Sequence, residues 1–481
     1  MKFLQGTTYI PSAIGCSVML LAIIAAGCAA VGPRYVRPEV PVYPDWNNKL
    51  EGNTNGTGMD VQILAEWWTS LGDPRLSRLI ERAAAGNLDL KKAQARVREA
   101  RARRGIAEAG LFPGLDGSGS ARWSHTITDT GPDTTSSGYA AGFDAAWEVD
   151  IFGGVRRSVE AAERDLEASE EDLRNVLVSL LAEVALNYLD VRIYQDLLTV
   201  AEDNLESQSE TWQLTRWRYE AGLSDELAVQ QARYNLENTR SQIPTLRTAL
   251  EAAMNRVAVL LGEQPGRVHS ELEQREPIPV PPLDVAVGVP ADLLRRRPDI
   301  RRAERELAAQ TARVGVAMAD LYPRFTLSGS IGLESLSSNS VSSGILSLAG
   351  GPGISWAIFK GGAIRQNIEV QSALQEQALI QYEDAVLGAI EEVENALVAY
   401  AEVQQRRQAL SEATRAAQNA ALLAEHKYEA GLTDFTNVLD AQRSLLSFQE
   451  QLAQSNGAVT GNLVRLYKAL GGGWTLPANE R

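Results

Sequence analysis

The sequence predicts an α+β membrane protein made of two tandem copies of one unit, each a tall antiparallel helical hairpin joined to a pair of β-strands. Three observations carry this. An ordered set of landmarks recurs at an offset of about 209 residues. Long tracts rich in alanine, leucine, glutamate, glutamine and arginine run with scarcely a glycine or proline. Glycine, serine, threonine and tryptophan collect instead in two windows, near 112–154 and 323–362, where apolar and polar residues alternate.

Residues 1–27 read as a signal peptide: Lys2 gives a thin positive start, and Cys16 to Ala26 an apolar run too short to span a bilayer as a helix. That run ends in Ala25-Ala26-Gly27-Cys28, which resembles a bacterial lipobox and implies a covalent lipid on Cys28. Ala29 stands where inner-membrane lipoproteins often carry aspartate, so the resemblance favours sorting to the outer membrane. The alternative is a plain secretory signal with an incidental cysteine. With Cys16 removed and Cys28 acylated, no thiol is left for a disulfide, a metal or a nucleophile. Residues 28–66 then form a lipid-anchored, extended N-terminal segment.

The first repeat is placed at 67–265. It opens with a helix that ends near Leu111-Phe112-Pro113, a pattern matched by Leu321-Tyr322-Pro323 in the second repeat. Two strands follow, near 114–128 and 138–151. Leu115, Gly117, Gly119, Ala121, Trp123, His125 and Ile127 fall on one face, and Asp116, Ser118, Ser120, Arg122 and Ser124 on the other. Tyr139, Phe143, Trp147 and Val149 likewise oppose Asp144 and Glu148. Asp129 to Ser137 reads as an exposed connection.

A helical hairpin is expected over 153–262. Its first arm repeats apolar residues at spacings of three and four (Val176, Leu177, Leu180, Leu181, Val184) and is on the order of 100 Å long at 1.5 Å per residue. Gly222 supplies the left-handed residue that stops it, and Ser224 or Asp225 can cap the returning arm. Pro244 should kink that arm; Ala453 holds the equivalent place in the second half.

After a linker at 266–290, the second repeat at 291–472 follows the same plan: helix, strands near 324–335 and 345–359, and a hairpin over 361–470, with a C-terminal tail at 473–481. Ser118-Gly119-Ser120 recurs as Ser328-Gly329-Ser330, and Trp147 as Trp356. Phe152-Gly153-Gly154 recurs, with a small length change, as Phe359-Lys360-Gly361-Gly362. Arg218-Tyr219-Glu220-Ala221-Gly222-Leu223-Ser224-Asp225 recurs as Lys427-Tyr428-Glu429-Ala430-Gly431-Leu432-Thr433-Asp434. Ser335 to Ser343 reads as a second exposed connection.

Such strands fit a transmembrane barrel, although a water-soluble sandwich alternates in the same way. Closure separates the two. One chain offers four strands, membrane barrels start at about eight, and open strand edges cannot sit in lipid, so several copies must share one pore.

Charge and residue types exclude other classes. A net charge of −15 argues against nucleic acid as a partner. His125, His269 and His426 are the only histidines; none lies beside a nucleophile or in a metal-ligand spacing, and no phosphate-binding glycine loop occurs. No catalysis, cofactor or metal is expected beyond the lipid on Cys28. Arg295-Arg296-Arg297 and Arg301-Arg302, around Pro298 at a helix start, are expected to stay solvated or to pair with nearby carboxylates.

These residues resemble the TolC-like outer membrane factors, and among them the NodT-type efflux outer-membrane lipoproteins, over nearly the whole mature chain. The marks are Gly32-Pro33-Arg34-Tyr35 with Pro38, Trp67-Trp68 with Asp73-Pro74, and Asp150-Ile151-Phe152-Gly153-Gly154. Two more are Leu294 to Glu304 (LLRRRPDIRRAE) and Leu439-Asp440-Ala441-Gln442-Arg443-Ser444-Leu445. The resemblance implies a homotrimer: four strands per subunit complete a twelve-stranded outer-membrane barrel, continuous with a long periplasmic α-helical barrel. It implies a channel for drugs and other toxic solutes, joined to a periplasmic membrane fusion protein and an inner-membrane pump of the resistance-nodulation-division class.

The docking tips would be Gly222, Leu223 and Ser224 with Gly431, Leu432 and Thr433. In relatives an acidic ring narrows the duct just past the second tip; Asp440 matches that position, and Asn437 lies where some members carry a second aspartate, so these two are the candidate gate. The competing readings are a surface carboxylate for Asp440, helix-stopping alone for the glycines, and, for the whole chain, a non-conducting periplasmic scaffold or a type I secretion outlet.

Overall fold

The computed structural model describes residues 30–41, 43, 45–48, 64–127, 129–279, 296–335 and 345–474. Cys28, Arg295, residues 280–290 of the linker and most of the tail lie outside these residues, as does the connection between the second pair of strands. The order is a 3₁₀ turn Trp67–Leu71, α1 Pro74–Gly86, α2 Leu88–Ala109, β1 Gly114–Thr126, β2 Thr134–Val149, α3 Gly154–Glu220, α4 Glu226–Leu260 and α5 His269–Leu272. It continues with α6 Pro298–Ala319, β3 Arg324–Ser335, β4 Ile345–Ser355, α7 Ala363–Glu429 and α8 Phe435–Ala469. Both halves carry a 67-residue helix followed by a 35-residue helix.

Two compact units form. The first comprises Arg96–Glu170 and Arg302–Glu383 with the N-terminal segment up to Glu39, and it holds the sheet. Its four strands run antiparallel in the order β1-β2-β3-β4. The register places Leu115, Trp123, Phe143, Trp147, Leu327, Ile331, Leu348 and Ile354 on one face and Asp116, Ser118, Arg122, Asp144, Glu148, Ser328, Ser330 and Ser347 on the other. The alternation read from the sequence is therefore a two-faced sheet.

Strand ends differ from the expectation at two places. β2 begins at Thr134, not near 138, because Thr134, Thr135 and Ser136 pair with Thr126, His125 and Ser124. A Ser124–Ser136 hydroxyl contact at 2.8 Å and a His125 Nδ1–Thr135 Oγ1 contact at 2.8 Å stiffen a stretch whose composition resembles a turn. β4 ends at Ser355 rather than near 359, where Phe359 is already far exposed.

At the other end of the strands the halves repeat one device. The Trp147 indole N–H donates to the Leu111 carbonyl at 3.0 Å, and Trp356 donates to Leu321 at 3.0 Å. Phe152 stacks on Tyr322 with centroids 4.6 Å apart. The N-terminal segment is held here too. A Cβ at Gly32 would lie 2.5 Å from the Gly315 Cα, so glycine is required on the strap. The buried Arg157 donates to the carbonyls of Val31 and Gly32. Tyr35 OH donates to the buried Glu304, Arg37 pairs with the same carboxylate, and burial pushes the Tyr35 phenol well above its ordinary pKa.

The second unit comprises Val40–Ala95, Glu171–Arg301 and the chain from Asp384 onward. Its apolar core joins Trp67, Leu76, Leu79 and Ile80 to Leu181, Val184, Tyr188 and Leu189 of α3, Val257 and Leu260 of α4, and Leu463, Val464 and Tyr467 of α8. Polar groups brace it. Arg192, fully buried, donates to Gln195, Tyr188 OH, the Gln274 carbonyl and Glu276.

Of the arginines expected to be solvated or paired, Arg297 is buried, bonded to the Ala469 carbonyl and paired with Asp299 and Glu392. Burial pulls the Asp299 pKa up, but the bonds and charge of Arg297 outweigh it, so this carboxyl sits below its ordinary value. Arg301 and Arg174 both pair with Glu171, and both guanidiniums lie over the Trp474 ring.

Candidate functional site

The hairpin tips lie in the second unit. At the first, the Gly222 N–H donates to the Tyr219 carbonyl (2.9 Å) and the Leu223 N–H to the Arg218 carbonyl (2.7 Å). At the second, Gly431 donates to Tyr428 (2.9 Å) and Leu432 to Lys427 (2.8 Å). Both are Schellman endings, which need the left-handed residue that Gly222 (φ +73°) and Gly431 (φ +72°) provide. The residue after each glycine is pushed into solvent: Leu223 is 69% exposed and Leu432 76%. The returning helices differ in their start, since Asp225 accepts from the Ala228 N–H at 2.8 Å whereas Asp434 makes no side-chain cap.

The tips also bear on each other, through contacts the sequence did not announce. Arg218 donates to the Glu429 carbonyl at 3.0 Å and lies 4.7 Å from the Tyr428 ring centroid; Ser224 Oγ is 3.4 Å from Tyr428 OH. Tyr428 and Phe435 meet edge to face and form a small apolar cluster with Val438, Leu439, Ala228 and Ala232. The only signal in the sequence was the exchange of Arg218 for Lys427 in the repeated octapeptide.

α8 therefore starts with a buried edge, Phe435, Val438, Leu439 and Gln442, and an exposed edge bearing Asn437 and Asp440. The Asn437 amide donates to Thr433 Oγ1 at 2.8 Å, and the Asp440 carboxylate is exposed. Away from the tip the seam between α3, α4 and α8 is polar: Gln442 donates to Thr211 (2.8 Å), Asn204 to Gln449 (2.7 Å), and Arg443 to Asn235 (3.2 Å). Gln208, buried in the same stretch of α3, has neither amide atom bonded. Such a seam excludes water with less apolar area than the core above it. Pro244 lies within α4, which runs on to Leu260.

His125, His269 and His426 contact Thr135, Glu251 and Glu429 respectively. Among the described residues no group of three or more His, Cys, Asp or Glu could hold a metal, and no helix is long and apolar enough to cross a membrane.

Residues 79–263 and 289–472 match the family described as outer membrane efflux protein. The chain belongs to that family. It is 34% identical over 443 residues to nodulation protein T of Rhizobium leguminosarum bv. trifolii, covering 90% of this chain and 92% of that protein. It is 33% identical over 470 residues to the solvent efflux pump outer membrane protein SrpC of Pseudomonas putida (96% and 99% covered). It is 31% identical over 461 residues to the cation efflux system protein CusC of Escherichia coli strain K12 (94% and 98% covered). Among solved structures, the outer-membrane channel OprN superposes with a TM-score of 0.84 at 37% identity, covering 93% of this chain and 100% of that one. CusC superposes with a TM-score of 0.79 at 29% identity (92% and 100% covered). This is a family of efflux channels of the outer membrane.

Proposed function

We propose that the chain is one subunit of a trimeric duct that lets drugs and other toxic solutes leave through the outer membrane, with no bond made or broken. The open sheet carries the reading. Its four strands present an apolar face, with Leu115 70%, Trp123 70%, Leu348 73% and Ile354 69% exposed, and among the described residues two edges stay unpaired, at β1 and β4. Three copies give twelve strands and remove every edge; the long hairpins then continue the barrel as a periplasmic tube. Cys28 carries the lipid, and the exposed Leu223 and Leu432 with Gly222, Ser224, Gly431 and Thr433 dock on a membrane fusion protein served by an inner-membrane pump of the resistance-nodulation-division class.

Asp440 and Asn437 form the gate: three symmetry-related carboxylates near one axis attract cations and repel one another, so closure is poised for a partner to open. Single-channel recording of the purified protein in a planar bilayer tests this. A pore is expected whose cation preference falls in Asp440→Asn and rises in Asn437→Asp. A protein that gives no conductance is a scaffold, and an unchanged ion preference removes Asp440 from the gate.

A further inference from the structure

The two strand hairpins superimpose in register. Matching Ser118 with Ser328 and Trp147 with Trp356 carries each β1–β2 pair onto a β3–β4 pair: Gly114–Ala146 becomes Arg324–Ser355, and Gly119–Ala141 becomes Gly329–Gly350. Within the chain the halves meet where β2 pairs with β3, with Trp147 opposite Leu327, Ala145 opposite Gly329 and Ala141 opposite Leu333. In a ring of copies the one other junction between halves joins β4 of one copy to β1 of the next. The same matching converts the first junction into the second.

Resting on the shared-barrel reading above, we infer that β4 pairs antiparallel with β1 of the neighbouring copy with Ser355 opposite Ser118, Ile354 opposite Gly119, Gly350 opposite Trp123 and Leu348 opposite His125. Side-chain size supports this register independently. Trp356, 55% exposed just beyond β4, falls opposite Gly117, Ile354 opposite Gly119 and Trp123 opposite Gly350, so both tryptophans and Ile354 meet a glycine. A Cβ at Gly119 would meet nothing within its own chain. On the inner face serines, glycines and Ala349 line the junction, and Arg122 falls opposite Gly351. A slip of one residue would turn the apolar set of one strand toward the polar set of the other. Pro352 lacks an N–H and removes at most one bond from this ladder.

Aromatic contacts follow the same mapping. Phe152 covers Tyr322 inside the chain, whereas Phe112, at the place of Tyr322, is 69% exposed and Phe359 87%. Phe359 of one copy closes over Phe112 of the next.

Cysteine pairs read the register, because opposed residues lie about 5 Å apart at Cα and can be bridged, whereas a two-residue offset puts them beyond roughly 7 Å. The detergent-extracted full chain carrying Ser118→Cys with Ser355→Cys is treated with a mild oxidant and run without reductant. The band is expected to move from one chain mass to three, while Ser120→Cys with Ser355→Cys and Asp116→Cys with Ser355→Cys stay at one. Each single variant sets the background from Cys28. Linking through an offset pair, or through no pair in a particle whose native mass is three chains, overturns the register and leaves the trimer standing. A native mass of one chain overturns the duct itself, and this inference with it.

Discussion

The first hairpin tip and the second share a backbone and differ in what covers it. Both end in the same Schellman bonds, yet Tyr219 is 44% exposed while Tyr428, its counterpart, is 4% exposed beneath Arg218 and against Phe435. At the first tip Arg216 and Glu220 pair at 3.0 Å; the equivalent residues of the second, Glu425 and Glu429, are both acidic. Burial, then the Glu429 charge, pushes the Glu425 carboxyl above its ordinary pKa. The glycine turn is thus the invariant part. The second tip is held by contacts borrowed from the first, and a local disturbance should travel from Tyr428 outward, not from Tyr219.

The largest expected effect breaks that asymmetry. Tyr428→Ala should cost about 3 kcal/mol of local stability by emptying the tip cluster, against roughly 0.5 kcal/mol or less for Tyr219→Ala. Hydrogen exchange of tip amides measures both, and equal effects would mean the two tips are covered alike. Next come the turns. A Cβ meets nothing at Gly222 and only an Arg218 nitrogen at 3.8 Å at Gly431, so alanine at either should cost the same, about 1 kcal/mol from backbone conformation alone. A clear inequality by thermal unfolding would show that the two turns are not interchangeable.

Asp225→Ala should lose about 1 kcal/mol with its cap, and Asp434→Ala far less, which helix-end exchange rates can separate. The smallest effect is on pH. A carboxyl whose folded pKa is raised binds its proton more readily in the native state. The second tip should therefore tighten as pH falls through the Glu425 pKa and loosen as it rises, by a few tenths of a kcal/mol, with no matching change where Arg216 stands. Amide exchange corrected for intrinsic pH dependence would reveal it, and Glu425→Gln should abolish it.

Much of this was legible in the sequence because it depends on period. The 3.6-residue stripe from Val176 to Leu189 fixes which side of α3 is covered, and the alternation from Leu115 to Trp123 fixes which face of the sheet is apolar. The glycines at 222 and 431 announced both turns, since positive φ leaves few other choices. Composition failed at β2, whose Thr134 to Ser137 reads as loop and becomes strand by pairing across from Trp123 to Thr126. What the chain could not announce were contacts between distant residues. Arg218 reaching Glu429, Arg297 buried against Ala469 and Tyr35 meeting Glu304 join positions with no shared periodicity. The exposed edge carrying Asp440 follows from helical spacing, whereas the gate role proposed for it rests on neighbouring copies.

The matched helix lengths, 67 then 35 residues in each half, constrain how such a protein can change. Inserting one residue into any long arm turns everything beyond it by about 100°, swinging the covered stripe into water and the tip residues off their partners. Substitutions can accumulate separately in the halves, as Arg218 and Lys427 illustrate. An insertion or deletion in a connection between strands breaks no stripe, so the arms admit exchanges on their exposed sides while a change of length is expected to be accepted only in the loops.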